Sequence, residues 1–422
     1  MKYFGTDGIR GIIDVSLNSK LIDKISKAIV RYYNIHSLKK KILIGNDSRI
    51  SSDYIFSQLA TTLLKYGIEI HYVGTVSSPA LAFLTHEFNY PLSLMISASH
   101  NPHEYNGIKF FNSLGEKVFD SFEIEFEKLM DKKSFKVKTD YKKIKNCENL
   151  IKYYEKYIKN IKKFNFSIIF DCSNGATSNI VKNIFKKNKI INYNPNGKNI
   201  NENAGCTHIE VLQKQCIKLN KIGVAFDGDG DRVFIVDEKG NVLNGDKIIY
   251  ILSKFLTHPT SNIIGTIYSN LGLKKALEKD NKTLIRADVG DKNVYNKMIE
   301  YSAELGGEES GHIIAKDFTN TGDGLLIAVL VLNLVERYKQ SLSSLLNDYT
   351  EYHQTRLNIH LDKPFEINKH LKQEISKLED NNTRIIVRPS GTEPVLRLFV
   401  ENENKEKAEK IIKILENLVK NY

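Results

Sequence analysis

Asp227, Asp229 and Asp231 stand at alternate positions, with Gly228 and Gly230 between them and Arg232 after them. Glycine spacers let a tight loop fold three carboxylate oxygens around one small hard cation, and donors of this kind suit magnesium. An EF-hand also begins with alternating acids, and its twelfth position falls here on Glu238. The loop runs at once into Val233-Phe234-Ile235-Val236, however, a buried-strand pattern where calcium ligands should continue. A solvated Asp-Gly turn is the plainer alternative. A second segment, Ser97-Ala98-Ser99-His100-Asn101-Pro102, sets a hydroxyl among small residues, a His and a helix-breaking Pro. That context suits a serine held on a loop where it can be phosphorylated, so the pair of segments suggests a phosphoserine at Ser99 facing a metal.

Two further segments mix flexible backbone with hydrogen-bonding side chains. In Gly306-Gly307-Glu308-Glu309-Ser310-Gly311-His312, Glu308 and Ser310 can grasp vicinal sugar hydroxyls and His312 can carry a proton. In Arg388-Pro389-Ser390-Gly391-Thr392-Glu393-Pro394, a guanidinium, two hydroxyls and glycine-exposed amides can cradle a phosphate dianion. A plain strand-connecting turn would not need Arg, Ser and Thr together.

These loops require elements to hold them. Leu21, Ile25, Ala28, Ile29 and Tyr32 recur at helical spacing, and Ile42-Leu43-Ile44 follows as a buried strand ending in Asn46-Asp47-Ser48-Arg49. The same pattern returns where Ile168-Ile169-Phe170 meets Asp171-Cys172-Ser173-Asn174-Gly175, and where Val224-Ala225-Phe226 meets the triple-Asp loop. Strands ending in Asp and small residues predict α/β units with sites at the strands' carboxyl ends. The tail differs: Arg384–Val387 and Val395–Val400 read as strands, and Ala408, Ile411, Ile412, Leu415, Leu418 and Val419 share one face of a following helix. This predicts a separate α+β unit. No fixed-period repeat and no low-complexity tract is visible.

The chain has 422 residues, 41% hydrophobic and 26% charged, which predicts a soluble protein of two to four domains. Its longest apolar run, Leu325 to Leu332, is far short of the roughly 20 residues of a membrane span. Met1-Lys2-Tyr3-Phe4-Gly5 has no signal-peptide character, so a cytoplasmic location is expected. Cys147, Cys172, Cys206 and Cys216 have neither metal-site spacing nor disulfide density and read as reduced thiols. The net charge of +11 comes from lysines scattered over helices and loops without aromatic interleaving, which argues against a nucleic-acid partner.

Taken in order, the four motifs resemble those of the α-D-phosphohexomutase superfamily, and the resemblance covers essentially the whole chain. Phe4-Gly5-Thr6-Asp7-Gly8-Ile9-Arg10-Gly11, Asn106-Gly107-Ile108-Lys109-Phe110-Phe111 and Val289-Gly290-Asp291-Lys292 are similar to the bacterial phosphoglucosamine mutase family within it. The resemblance implies three related α/β domains around a central cleft and a C-terminal α+β domain like the TATA-binding protein. The boundaries expected are 1–150 with the phosphoserine loop, 151–248 with the metal loop, 249–360 with the sugar loop, and 361–422 with the phosphate cradle.

The resemblance also implies an isomerase that interconverts glucosamine 6-phosphate and glucosamine 1-phosphate, on the route to UDP-N-acetylglucosamine and peptidoglycan precursors. It would work through phosphorylated Ser99 and a sugar 1,6-bisphosphate. Magnesium would be held by Asp227, Asp229, Asp231 and a phosphoserine oxygen on Ser99. Arg10, Lys109, His100 and His312 would serve the transfer. The sugar phosphate would be held by Glu308, Ser310, Arg232, Arg388, Ser390, Gly391, Thr392 and Arg397. Two positions depart from the family pattern: Glu309 stands where Gln is usual, and Asp288 where a ligand-facing Lys is common, with Arg286 or Lys292 as candidate substitutes. A phosphomannomutase or phosphoglucomutase using the same machinery is the nearest alternative. A metal-dependent phosphatase that admits water to Ser99, and a basic binding protein with a decayed site, are the more distant ones. Small-molecule sugar phosphates are the expected partners, with no membrane and an open oligomeric state.

Overall fold

The computed structural model describes residues 2–361, 368–389 and 394–420. The buried run at Ile42–Ile44 lies in the strand Lys41–Asn46, central in a six-stranded sheet ordered Ile9–Ile12, Tyr105–Asn112, Leu92–Ile96, Lys41–Asn46, Glu69–Thr75, Ile144–Asn146. Four of these strands run parallel, and the sheet continues from Leu92–Ile96 into antiparallel Tyr105–Asn112 and Ile9–Ile12. The helical pattern at Leu21–Tyr32 is the helix Ser19–Ile35, capped by the Asn18 side chain on Leu21 N–H; it buries Ile22, Ile25, Ala28 and Ile29 in the same core as Ile42 and Ile44.

A second sheet is ordered Val242–Leu243, Val233–Val236, Gly223–Phe226, Ile169–Asp171, Lys189–Ile191, and a third Thr283–Ala287, Asn262–Thr266, Leu305–Gly307, Ile313–Ala315. Both repeat the grammar of the first. Gly223–Phe226 and Leu305–Gly307 each pair with a parallel neighbour on one side and with the next strand in sequence, antiparallel, on the other. The connection from the last parallel strand to its antiparallel partner is Ser97–Glu104 in the first sheet, Asp227–Arg232 in the second and Glu308–His312 in the third. Each functional loop therefore leaves the carboxyl end of a parallel strand, where side chains are free of ladder constraints. The apolar run Leu325–Leu332 is the buried interior of the helix Gly324–Tyr338, and among the described residues no helix is long and apolar enough to cross a membrane.

By internal contacts the chain forms two units: Met1–Ile267 with Ile285–Asn347, which carries these three loops, and Tyr268–Leu284 with Asp348–Tyr422. The second unit is built on an antiparallel sheet ordered His353–His360, Val395–Asn402, Thr383–Pro389. Ile385, Leu396, Leu398 and Val400 pack there against Ala408, Ile411, Ile412, Leu415 and Val419 of the helix Lys405–Lys420, while Leu418 is half-buried. His353–His360 alternates exposed and half-buried residues, too weak an apolar signal to be read as a strand from sequence.

Candidate active site

Ser99 is held in a strained backbone conformation. It has φ +53°, a left-handed conformation that costs a non-glycine residue on the order of 1 kcal/mol or more. The surroundings that impose it are specific. Ser97 Oγ accepts Ser99 N–H at 2.9 Å and donates to Asp47 Oδ2 at 2.7 Å. Arg49 Nη2 donates to the carbonyls of Ser99 and Asn101, at 2.9 and 2.8 Å, and Asn201 Nδ2 donates to the same two at 2.9 and 3.1 Å. Asp47 and Arg49 form an ion pair at 2.8 Å with both side chains fully buried. The Ser-His-Asn-Pro loop is thus strapped from beneath by a buried charge pair at the end of Lys41–Asn46.

Ser99 Oγ donates to Asp227 Oδ2 at 2.6 Å. The approach of the two loops requires glycine at 228, because a Cβ there would lie 2.7 Å from the Ser99 carbonyl oxygen. Suitable carboxylate oxygens of Asp227, Asp229 and Asp231 lie within 4.8 Å of one another, and all three side chains are buried. Asp227 Oδ1 accepts Gly230 N–H at 3.0 Å and Arg232 N–H at 3.2 Å. Asp229 Oδ2 accepts from Ser78 Oγ and from Lys109 Nζ, the latter at 2.7 Å, and Lys109 Nζ lies 3.1 Å from Asp231 Oδ2. Asp229 Oδ1 and Asp231 Oδ1 are buried with no hydrogen-bond donor among the described residues. Each carboxylate has one oxygen anchored by the protein, leaving the other toward Ser99 or without a donor.

The electrostatics match a cation at this point. For Asp231, burial works to raise the pKa, but Lys109 and Lys117 outweigh it and hold the group well below the usual carboxylate range. Asp227 has no ammonium partner; burial and the neighbouring charges of Asp231 and Asp229 push it well above that range. A carboxylate left uncompensated beside two unpartnered oxygens fits a divalent hard cation.

Cationic groups complete the surroundings. Lys109 sits on Tyr105–Asn112 and Arg10 on the adjacent Ile9–Ile12, opposite Gly107, where a Cβ would lie 2.8 Å from the Arg10 side chain. Lys109 is buried, and although burial opposes its charge, Asp229, Asp231 and Asp7 raise its pKa and keep it protonated. Arg10 pairs with Asp7. The Nε atoms of Arg10 and Arg232 are buried without an acceptor among the described residues, so two donors stand ready for an anion. His100 is lowered to about 4, by burial first and then by Arg232 and Arg10, so its ring is neutral; its Nδ1 is buried and unpartnered.

The loop Glu308–His312 is joined to the aspartate loop by an isolated antiparallel bridge between Arg232 and His312 and by Val233 N–H donating to Gly311 O at 3.1 Å. Glu308 Oε1 accepts Gly290 N–H at 3.0 Å, and Ser310 Oγ is buried with no partner among the described residues. His312 Nε2 accepts Gly322 N–H at 3.2 Å, and its Nδ1 lies 3.7 Å from Asp231 Oδ2. In the second unit, Arg388 and Arg397 stand directly opposite on neighbouring antiparallel strands, both exposed. Ser390, Gly391 and Thr392 lie outside the described residues.

Several residues here were given no role by the sequence, some of them within the segments quoted above. Asp47, Arg49 and Asn201 strap the serine loop, Ser78 anchors Asp229, and Asp7, Lys117 and Asp291 surround the lysine side of the aspartates. The candidates for the charge absent at Asp288 are engaged elsewhere: Lys292 binds Glu123 at 2.7 Å and Asp120 at 3.1 Å, and Arg286 donates to Thr266 O at 3.0 Å.

Comparison with known proteins identifies the family. The chain matches the four phosphoglucomutase/phosphomannomutase family models in order: α/β/α domain I at residues 1–137, domain II at 147–240, domain III at 244–352 and the C-terminal domain at 356–418. It is 38% identical to a phosphoglucosamine mutase of Limosilactobacillus reuteri, covering 96% of this chain and 95% of that one, and 36% identical to that of Bacillus subtilis, covering 99% and 98%. Solved structures share the fold at lower identity. A phosphoglucomutase/phosphomannomutase family protein of Burkholderia thailandensis superposes with TM-score 0.77 at 22% identity, over 97% of this chain and 95% of that one. Aspergillus fumigatus N-acetylphosphoglucosamine mutase, in complex with GlcNAc-6P and magnesium, superposes with TM-score 0.68 at 16% identity, over 98% and 95%.

Proposed function

The chain belongs to the phosphoglucosamine mutases of the phosphoglucomutase/phosphomannomutase family, and we propose that it interconverts glucosamine 6-phosphate and glucosamine 1-phosphate by way of Ser99. The observation that carries this reading is the 2.6 Å contact of Ser99 Oγ with Asp227, beside two buried carboxylate oxygens that have no donor. In the resting enzyme Ser99 Oγ carries a phosphoryl group. The O1 hydroxyl of glucosamine 6-phosphate attacks that phosphorus, the Ser99 Oγ–P bond breaks, and the hydroxyl proton passes to the protein, with His312 as its carrier. The product, glucosamine 1,6-bisphosphate, turns over in the site. Ser99 Oγ then attacks the phosphorus of the 6-phosphate, the O6–P bond breaks, O6 takes up the proton carried by His312, and glucosamine 1-phosphate leaves with Ser99 phosphorylated by this second phosphate.

Magnesium, held by Asp227, Asp229, Asp231 and a phosphoserine oxygen, would neutralise charge on the transferring group. Arg10 and Lys109 add positive charge on its other sides, and the spare Arg10 and Arg232 Nε–H groups suit phosphoryl oxygens. Glu308 and Ser310 grip sugar hydroxyls in either orientation. Arg388 and Arg397, with Ser390, Gly391 and Thr392, take the phosphate that is not reacting. We assign these roles to segments 1–150, 151–248, 249–360 and 361–422, in the cytoplasm, with sugar phosphates as the partners.

Purified enzyme assayed on glucosamine, mannose and glucose phosphates tests the reading: kcat/KM should be highest for glucosamine 6-phosphate. A preference for mannose or glucose phosphates would replace the substrate and leave the mutase chemistry. Release of inorganic phosphate at a rate comparable to isomerisation would favour a phosphatase.

A further inference from the structure

Three carboxylates from distant parts of the sequence converge on one ammonium group that belongs to none of the motifs. Lys117 Nζ lies 2.9 Å from Asp7 Oδ1, 3.5 Å from Asp231 Oδ2 and in close contact with Asp291 Oδ2. Its side chain is 11% exposed and that of Asp291 9%. Asp291 opens the helix Asp291–Glu300 and is oriented by its Oδ1, which accepts Lys292 N–H at 2.7 Å. The preceding residue, Gly290, donates to Glu308 Oε1. Thus one short segment, Gly290-Asp291, holds Glu308 through its backbone and reaches the metal-facing aspartates through Lys117. His312 stands between the same groups, 3.7 Å from Asp231 and 3.9 Å from Asp291.

The charges close around this arrangement. Asp7, Asp227, Asp229, Asp231 and Asp291 face Arg10, Lys109, Lys117 and Arg232, five carboxylates against four cations. One divalent cation and one phosphoryl dianion together leave that balance almost unchanged, whereas loss of Lys117 would leave Asp7 and Asp231 to Lys109 and Arg10, and Asp291 with only His312 beside it. Asp288, where a further cation could have stood, is exposed, and Lys292 is committed to Glu123.

We propose that Lys117 and Asp291 form a positioning pair for phosphoryl transfer: Lys117 orients Asp231 and places a positive charge beside it, and Asp291 holds Lys117 in place while coupling it to the sugar loop at Glu308. Neither residue touches the reacting atoms. The turnover arm of the proposal rests on the mutase reading, and the metal arm does not. The two variants act oppositely on the cation. Lys117→Met removes a positive charge from beside Asp231 and so strengthens binding of a dication. Asp291→Asn leaves Lys117 with one counter-charge fewer, strengthens its hold on Asp231, and so weakens that binding.

The test is calorimetric titration of the full-length, dephosphorylated protein with magnesium chloride, alongside steady-state assays with each variant's fold checked by thermal denaturation. Expected are metal dissociation constants at least about threefold lower for Lys117→Met and at least about threefold higher for Asp291→Asn, with kcat reduced about 30-fold or more in both and KM within about threefold. Lys117→Arg should recover part of kcat. Metal affinities that move in the same direction, or kcat within threefold of wild type in either folded variant, overturn the pair. If Lys117→Met does not fold, Asp291→Asn decides alone, by the direction of its metal shift. Wild-type enzyme inactive on glucosamine 6-phosphate but with these opposed metal shifts would sink the substrate assignment and leave the pair standing.

Discussion

Ser99 Oγ and Asp227 Oδ2 lie 2.6 Å apart across 128 positions of sequence, joining the hairpin of the first sheet to that of the second. The contact puts the hydroxyl beside the oxygens left free by Asp229 and Asp231, so replacing Ser99 removes the phosphoryl acceptor without removing core packing. Ser99→Ala should lower mutase turnover by at least about a thousandfold while changing stability by no more than about 1 kcal/mol. Radiolabel from a sugar bisphosphate should enter wild type at Ser99 and should not enter the variant. Label recovered on Ser97 would move the acceptor to the serine that now braces Ser99 N–H.

The aspartates should not respond alike. Asp227 has no ammonium partner, so Asp227→Asn should leave the metal-free protein about as stable as wild type. Asp231→Asn removes a partner shared by Lys109 and Lys117 and should cost on the order of 3 kcal/mol. Both, and Asp229→Asn, should lose most of the rise in Tm that magnesium gives wild type, and activity lost to chelation should return only in wild type. Thermal melts with and without magnesium decide this; an undiminished metal-dependent rise in all three would make the loop a turn and no more.

Beneath the serine loop, Arg49 holds four carbonyl oxygens, of Ser99, Asn101, Pro102 and Tyr105. Arg49→Met would take this donor from the Pro102 and Tyr105 carbonyls, leave those of Ser99 and Asn101 to Asn201 alone, and leave Asp47 as an unpaired buried charge, a loss of about 3 to 5 kcal/mol. Because the strap also fixes the left-handed conformation of Ser99, labelling of Ser99 should slow more than substrate KM rises. Denaturant titration and bisphosphate labelling check both halves.

What the sequence discloses and what it hides divide along one physical line. The triple-Asp loop and the serine loop are legible because contiguous residues of unusual type and spacing carry them. Lys117 and Asn201 are ordinary residues in ordinary contexts, and Asp7, Asp47, Arg49 and Asp291, though they fall in quoted segments, have no role legible there; only contacts such as Asn201 with Ser99, 102 positions away, give them one. Lys292 shows the reverse. Its place beside Val289-Gly290-Asp291 suggests a ligand-facing charge, yet the helix turns it to Glu123 and Asp120. The likeness of the three sheets is hidden for a related reason. It lies in where each hairpin leaves its parallel strand, and the unequal connections between those strands leave no constant sequence period.

Asp323 offers a pH-dependent stability outside the metal loop. Its Oδ1 caps the helix Gly324–Tyr338 through Leu326 N–H at 3.0 Å, and Tyr154 donates its hydroxyl at 2.8 and 2.9 Å to the two carboxylate oxygens. Burial nevertheless raises its pKa from 3.8 to about 6, outweighing the hydrogen bonds that favour the anion. The folded state therefore binds this proton more tightly than the unfolded chain does. The resulting stabilisation is complete below the unfolded pKa and is lost as pH rises through the folded one, so above about pH 6 the native protein bears an ionised buried carboxylate. Asp323→Asn keeps an oxygen for the cap and removes that ionisation. Its stability relative to wild type should improve by about 2 kcal/mol between pH 4.5 and pH 8, the worth of roughly one and a half pKa units. Urea unfolding of both proteins at the two pH values measures it. A relative stability that stays constant, or that falls as pH rises, would show that Asp323 is already ionised throughout and serves the helix only as a charged cap.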